Sequence, residues 1–167
     1  MSERITIHRD AKNPDGRFVL YWMQASARTE YNFALEYAVN LANYRRQPLY
    51  VFFGLAESYL GASERHYWFL VQGLRDVQSA LQQRGIPFYV AVGDPVESVG
   101  IVAQAASTVV IDTGYLRLQR EWRAALVSHA PGSVVEVESN VVVAVSVAWD
   151  KEEYSAAKIR KKINRHW

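Results

Sequence analysis

The stretch that decides the fold is Phe18-Val19-Leu20-Tyr21-Trp22-Met23, which runs directly into Gln24-Ala25-Ser26-Ala27. Six consecutive apolar residues rich in aromatic side chains are typical of a strand that is buried on both faces. The small and polar residues that follow indicate a loop. We therefore interpret 18–23 as the first strand of a parallel sheet, with a loop at its carboxyl end.

The residues after this loop alternate between helical and strand patterns. Apolar residues at three- and four-residue spacing predict a helix from Thr29 to Asn43 with one buried face. Leu49 to Leu55 is a second buried strand. A long second helix is predicted from the mid-sixties to the early eighties, where Gly85 is a natural stop. We expect Gly73 to let this helix approach the sheet closely.

The same alternation continues to the end of the predicted sheet. In order, the predicted elements are a strand at Phe88–Val92, a helix at Val96–Ala106, a strand at Val109–Ile111, a helix at Leu116–Ser128 and a strand at Val134–Val137. Such alternation predicts a doubly wound, Rossmann-like α/β domain with a five-stranded, mostly parallel sheet and helices on both faces. We expect 1–167 to form this single domain, with 141–167 as a valine-rich extension and a closing helix from Lys151 to Asn164.

Composition excludes several classes of protein. The 167 residues contain no cysteine, which rules out disulfides, thiolate metal sites and a cysteine nucleophile. No segment has the roughly 20 apolar residues of a membrane span, and no secretory signal is evident, so we expect a cytoplasmic protein without a membrane partner. The formal charge of +2 is too small to indicate nucleic-acid binding. Lys158 to Arg165 is locally basic, and a solvated or docking face is favoured there over direct DNA contact.

Ligands of doubly wound domains bind beyond the carboxyl ends of the strands. The first such loop, Gln24 to Ala27, lacks the G-x-G-x-x-G glycines that a dinucleotide pyrophosphate needs. No phosphate loop of the G-x-x-x-x-G-K-[ST] type occurs, and the scattered histidines predict no metal site. Asp112 follows the fourth predicted strand, where either a hydrogen-bonding role in the crevice or capping of the next helix is expected.

A longer motif surrounds the first strand. Trp22-Met23-Gln24, Arg28, Asn32 and Ala34-Leu35 resemble the W-M-Q-x-x-x-R-x-x-x-N-x-A-L signature of class II cyclobutane-pyrimidine-dimer photolyases. The i, i+4 spacing of Arg28 and Asn32 predicts one helix face near the crevice. Tying that helix to the neighbouring loop is an equally open role for the pair. A second stretch, Arg65 to Leu74, is similar to the R-H-Y-x-F-M-x-x-G-L helix of the same family.

The resemblance extends from Phe18 to Ile163. Residues 137–160 align without gaps with a class II segment that leads toward the flavin domain, with departures at Asn140, Val141, Ala144 and Ser146. These four departures put a family-typical interdomain contact in doubt. A chain of 167 residues has no room for the helical flavin domain, so the resemblance implies no FAD on this chain and no lyase activity from it alone.

In this family the amino-terminal α/β domain commonly holds an antenna chromophore, which is a deazaflavin, a folate or FMN. By resemblance, Met23 and Phe53, with Tyr59, are expected to form apolar walls for such a ring. Polar contacts to its edges are expected from the remaining candidates, which are Gln24, Arg28, Asn32 and Asp112.

Three functions are therefore compatible with the sequence. The first is a stand-alone photolyase-like domain that serves photorepair of pyrimidine dimers together with a separate flavin-domain chain, contacting DNA only indirectly. The second is a nucleotide-binding regulatory module of the universal-stress or electron-transfer-flavoprotein type, which could use backbone amides at a helix start. The third is an interaction module in which the exposed Val141–Val147 stretch recruits a partner or a second copy.

Overall fold

The computed structural model describes residues 2–59, 61–149, 151 and 153–166. Its strands are β1 (Ile5–Arg9), β2 (Phe18–Trp22), β3 (Leu49–Leu55), β4 (Phe88–Val92), β5 (Ala106–Asp112) and β6 (Ser133–Val137). Its helices are α1 (Phe33–Arg45), α2 (Glu64–Gln83), α3 (Pro95–Ala103), α4 (Arg117–His129), α5 (Val145–Ala148) and α6 (Ala156–Ile163), and a short 3-10 turn spans Ser2–Arg4. Among these residues, no helix is long and apolar enough to cross a membrane.

The six strands form one sheet in the order β1-β6-β5-β2-β3-β4. All neighbouring strands from β6 to β4 pair in parallel, as the alternation predicted. The chain builds outward from β2 to β4 and then returns to place β5 on the other side of β2. The order therefore reverses between β2 and β5, and the loops after these two strands lie side by side where ligands usually bind.

The prediction of five strands is wrong, because β1 adds a sixth. This strand pairs antiparallel with β6, with Ile5 opposite Val137 and Ile7 opposite Val135. It is an edge strand whose residues from Thr6 onward are exposed, so its sequence lacks the apolar run of a buried strand. Its partner is more than a hundred residues away in the chain, and no local pattern reveals such pairing.

Capping residues shift the predicted helix boundaries. The first helix begins at Phe33 rather than Thr29, because Asn32 has extended backbone angles and its side chain accepts a hydrogen bond from the N–H of Leu35. The predicted terminal helix from Lys151 is shorter and begins at Ala156. Part of that predicted range, Glu152, lies outside the described residues.

Two apolar layers cover the two faces of the sheet. Alternate residues of β2 point to opposite sides, so Tyr21 packs with α1 and α2 while Trp22 packs with α3 and α4. Burial on both faces explains why β2 has no polar interruption. Gly73 does not serve close packing as expected, because a Cβ at this exposed position of α2 would meet no atom within 4 Å.

Candidate functional site

The loop after β2 wraps around the carboxylate of Asp112, the last residue of β5. That carboxylate accepts hydrogen bonds from the backbone N–H groups of Gln24, Ala25 and Ser26 at 3.2, 2.9 and 2.7 Å. The hydroxyl of Tyr21 donates a further bond at 3.1 Å. Backbone N–H groups at such a loop are the usual ligands of a phosphate. Here an internal anion occupies them.

Burial changes the pKa values of Asp112 and Tyr21. Asp112 is 6% exposed, and burial raises the pKa of its carboxyl group, while the three backbone donors oppose that rise. Burial also raises the pKa of Tyr21 well above its ordinary value, and the negative charge of Asp112 adds to the effect. Tyr21 therefore remains a neutral hydrogen-bond donor to Asp112 at neutral pH.

Asn32 holds the other end of the loop. Its Nδ2 donates to the carbonyl oxygens of Ser26 and Arg28 at 3.0 and 2.9 Å and to the hydroxyl of Tyr21 at 3.0 Å. Its Oδ1 caps α1. The expectation that Arg28 and Asn32 share a helix face is wrong, because both precede α1. Asn32 is a buried loop anchor, which is the second of the two roles that the spacing left open.

Arg28 joins the same loop to the segment after β6. Its guanidinium donates to Asn140 Oδ1 at 2.7 Å and to the carbonyl oxygen of Ser139 at 2.8 Å. Asn140 also accepts from Ser26 Oγ at 2.9 Å and donates to the carbonyl of Ala25 at 3.2 Å. Asn140, one of the departures from the family pattern, thus uses its side-chain amide to bind the loop to the segment after β6.

A cleft of about 280 Å³ opens between this loop, β3, α2 and α4. Its walls are mainly aromatic and aliphatic side chains, which are Phe53, Leu55, Tyr59, Tyr67, Leu70 and Trp122. The rings of Tyr59 and Trp122 pack edge to face, with centroids 6.2 Å apart. The hydroxyl oxygen of Tyr67 accepts a hydrogen bond from the N–H of Tyr59 at 2.8 Å. Aromatic walls of this kind suit a flat heterocyclic ring.

Gln24 forms the floor of the cleft by clamping β3. Its side-chain amide donates to the carbonyl oxygen of Gly54 at 2.9 Å and accepts from the N–H of Gly54 at 3.2 Å. A Cβ at Gly54 would lie 2.7 Å from Pro95 Cα, so only glycine fits between β3 and the start of α3. The clamp thus ties the ends of two neighbouring strands together.

Of the six residues proposed for ligand binding from the sequence, three lie at or beside the cleft and three do not. Gln24 and Phe53 line the cleft, and Asp112 lies beside it. Met23 was expected to form a wall, but it is fully buried in the core on the α1 face because strand alternation turns it away from the cleft. Arg28 and Asn32 do not line the cleft and instead anchor the loop.

Sequence reasoning missed the far wall of the cleft. Tyr67 and Leu70 lie on α2 in the second family-like stretch, and Trp122 lies on α4. The expected wall residue Tyr59 does line the cleft. The signal that could have found the others is their position in the first two turns of α2 and α4, the helices that follow β3 and β5, because helix starts lie at the same end of the sheet as the carboxyl ends of the strands.

A small cavity of about 20 Å³ adjoins the cleft and is bordered by Trp22, Asp112 and Gln119. Trp22 is 3% exposed, and its indole Nε1 has no hydrogen-bond acceptor in the part of the chain that the structure describes. Buried polar groups without partners are rare in folded proteins. Over the same described residues, no group of three or more His, Asp or Glu side chains is placed to hold a metal ion.

Comparison with known proteins gives both a family and a fold. The DNA photolyase family profile matches residues 19–167. A deoxyribodipyrimidine photo-lyase of Methanothermobacter thermautotrophicus is 47% identical over 169 residues, which cover 99% of this chain and 37% of that protein. The chain therefore spans little more than a third of the length of this relative.

Two solved structures share the architecture at low identity. A class III photolyase from Agrobacterium tumefaciens aligns with a TM-score of 0.59 and 21% identity, over 74% of this chain and 26% of its own. A universal stress protein from Pseudomonas aeruginosa aligns with a TM-score of 0.57 and 11% identity, over 80% of this chain and 52% of its own. At these identities the two likenesses show the fold alone.

Proposed function

Because this chain belongs to the DNA photolyase family, we propose that it is an antenna-binding α/β domain of the class II type. It would hold a deazaflavin, a folate or FMN and serve photorepair of pyrimidine dimers together with a separate flavin-binding catalytic domain. When bound, such a chromophore supplies absorption of light and passes the excitation on. The observation that carries the proposal is the aromatic cleft at the reversal of strand order.

The cleft fits a ring system better than it fits a phosphate. Its volume of about 280 Å³ lies just below the range of about 300 to 1,000 Å³ for small-molecule sites. Aromatic walls can stack on a flat ring, whereas the loop amides that would bind a phosphate already donate to Asp112. We therefore infer that the heteroaromatic ring occupies the cleft and that any phosphate of the ligand lies outside that loop.

The class II assignment is supported by what its signature residues do. Gln24 clamps Gly54, Arg28 binds the segment after β6, and Asn32 caps α1 while holding the loop. The signature thus specifies the conformation of one loop beside the cleft. A sequence that keeps all three residues keeps the shape of the ligand-binding edge.

The surface for the catalytic domain is proposed at the carboxyl-terminal segment. A groove of about 540 Å³ is lined there by apolar side chains, which include Val142, Val145, Trp149, Ile159 and Ile163. Val142 is 67% exposed and Trp149 is 40% exposed. Exposed apolar surface of this extent is typical of contact sites between domains.

The ligand proposal is tested by titrating the purified protein with FMN, a 5-deazaflavin and folate. Binding to at least one of them is expected, with quenching of ligand fluorescence by the aromatic walls. Ala27→Trp fills the cleft from its exposed rim and is expected to weaken binding at least tenfold. Ala124→Trp, at an exposed position of α4 away from the cleft, is the matched control and should leave affinity unchanged.

Adenine nucleotides separate this proposal from a regulatory module of the universal-stress type. ATP and AMP are expected not to bind, because the carboxylate of Asp112 occupies the loop amides and repels a phosphate. Binding of ATP or AMP in place of the three chromophores, or equal chromophore binding by Ala27→Trp and the unaltered protein, would contradict the proposal. Isothermal titration calorimetry measures both.

A further inference from the structure

Trp22 presents a polar atom that no residue in the described part of the chain satisfies. The indole ring packs in the core between β2 and the helices α3 and α4, and only 3% of the residue is exposed. Its Nε1 finds no acceptor within the described residues. An indole nitrogen can only donate, so a hydrogen-bond acceptor from outside the chain is needed to complete it.

The acceptors around Trp22 already receive hydrogen bonds. The carboxylate of Asp112 accepts from three backbone N–H groups and from Tyr21. Oε1 of Gln119 accepts from the N–H of Leu116 at 3.2 Å, and the carbonyl oxygen of Gly114 accepts from Arg123 at 3.0 Å. Among the described residues, these acceptors therefore bind other donors and none of them binds the indole nitrogen.

The cavity beside Trp22 has room for one oxygen atom and lies next to the ligand cleft. Its volume of about 20 Å³ suits a single atom of that size, not a ring. It shares four lining residues with the cleft, which are Gln24, Ala25, Gln119 and Trp122.

We propose that Trp22 Nε1 is a specificity-determining donor that recognises one ring carbonyl oxygen of the bound heteroaromatic ligand. The inference rests on the proposed function of the cleft. Deazaflavins, folates and FMN share a carbonyl oxygen on their pyrimidine ring, so the same donor serves all three. A ligand N–H or O–H at this point would compete with Trp22 for acceptors that are already engaged, and it is selected against.

The test compares FMN affinity between Trp22→Phe and the unaltered protein. Phenylalanine keeps an aromatic ring in the core and removes only the donor and part of the ring volume. A loss of about tenfold in affinity is expected from removing one buried hydrogen bond. Trp68→Phe is the matched control, since Trp68 is 64% exposed and lies outside the cleft. The affinity of this variant for FMN should differ from that of the unaltered protein by less than about twofold.

Proflavine, a tricyclic ring without a carbonyl, provides the control on the ligand side. If it occupies the cleft, its affinity should be equal for Trp22→Phe and the unaltered protein. A tenfold loss for proflavine as well would show that the substitution damages the cleft itself, and it would overturn the proposal.

Nuclear magnetic resonance supplies a readout that does not depend on the variant folding. The five tryptophans have five indole N–H signals, which can be assigned in the unaltered protein. Addition of FMN should move the Trp22 indole proton downfield, as expected when a hydrogen bond forms. An unmoved signal, or one that exchanges with water in the loaded protein, would overturn the proposal.

The outcomes separate the two levels of inference. If the unaltered protein binds none of the three chromophores, the proposed function fails and the role of Trp22 fails with it. If FMN binds and Trp22→Phe binds it within twofold, recognition of the carbonyl by Trp22 is wrong while the proposed function stands.

Discussion

The loop after β2 and the carboxyl-terminal segment are built in opposite ways. In the loop, residues 24–32, polar groups converge on two buried side chains, Asp112 and Asn32, which together form hydrogen bonds with five backbone groups of the loop. In the terminal segment, described over residues 141–149, 151 and 153–166, several large apolar side chains are exposed, among them Val142, Val145 and Trp149. Arg4 is bonded to the carbonyl oxygens of Val141 and Val142 at the start of this segment. The first region gets its shape from within the chain, and the second is suited to contact another surface.

The contrast shows where this fold can tolerate change. Removing one member of a buried hydrogen-bond network lowers the free energy of unfolding, because the remaining partners stay buried without a bond. Substituting an exposed apolar side chain changes the free energy of unfolding of the isolated domain only slightly. Substitutions in the two regions should therefore differ by several kcal/mol in their effect on stability.

The largest effect is expected for Asp112→Ala. The change leaves three backbone N–H groups and the hydroxyl of Tyr21 without their acceptor, in a site that is 6% exposed. We expect a loss of about 4 kcal/mol in the free energy of unfolding. Urea denaturation followed by circular dichroism measures it.

Asp94→Ala is the matched control for this change. Asp94 also accepts backbone N–H bonds, from Val96 and Glu97, but it caps α3 at the surface, where water can replace it. A loss of only about 1 kcal/mol is expected. Equal losses for the two variants would show that the buried network around Asp112 stabilises the fold no more than the exposed helix cap at Asp94 does.

An intermediate effect, with opposite signs, is expected for alanine at two glycines. Gly54→Ala places a Cβ at 2.7 Å from Pro95 Cα and strains the clamp with Gln24, so we expect a loss of about 2 kcal/mol. Gly73→Ala meets no atom within 4 Å on the exposed face of α2 and should stabilise by about 0.5 to 1 kcal/mol. Thermal denaturation of both variants tests the pair. A destabilised Gly73→Ala would restore the close-packing role that the sequence suggested.

The smallest effect is expected for Val142→Ser in the terminal segment. Val142 is 67% exposed, so the free energy of unfolding should change by less than about 0.5 kcal/mol. The same substitution at Val137, which is fully buried on β6, should cost more than about 2 kcal/mol. A large effect at Val142 would mean that the segment is held to the domain more firmly than its exposure indicates.

Much of the fold could be predicted because the informative patterns are local. The strands at 49–55 and 88–92 have the predicted bounds, and the second helix lies where apolar spacing placed it. The antiparallel strand β1 could not be predicted in this way. Its residues are mostly exposed, and its partner strand lies far along the chain.

The candidate site was predictable in place but not in detail. The rule that ligands of doubly wound domains bind beyond the carboxyl ends of the strands located the crevice, and Gln24, Phe53 and Tyr59 line it. The roles of Arg28, Asn32 and Asp112 could not be assigned, because a polar side chain beside a crevice can bind a ligand or the backbone of its own loop. Only the distances to backbone groups distinguish the two.

The sequence by itself determined the parallel α/β architecture, the family resemblance and the end of the sheet at which a ligand would bind. These follow from periodicity and motifs that extend over a few consecutive residues. Tertiary structure alone decided that Asp112 holds the loop amide of Gln24, 88 positions away, and that the indole donor of Trp22 has no acceptor among the residues that the structure describes. Hydrogen bonding is set by angles and distances between residues that are distant in the chain, and the order of residues does not contain those distances.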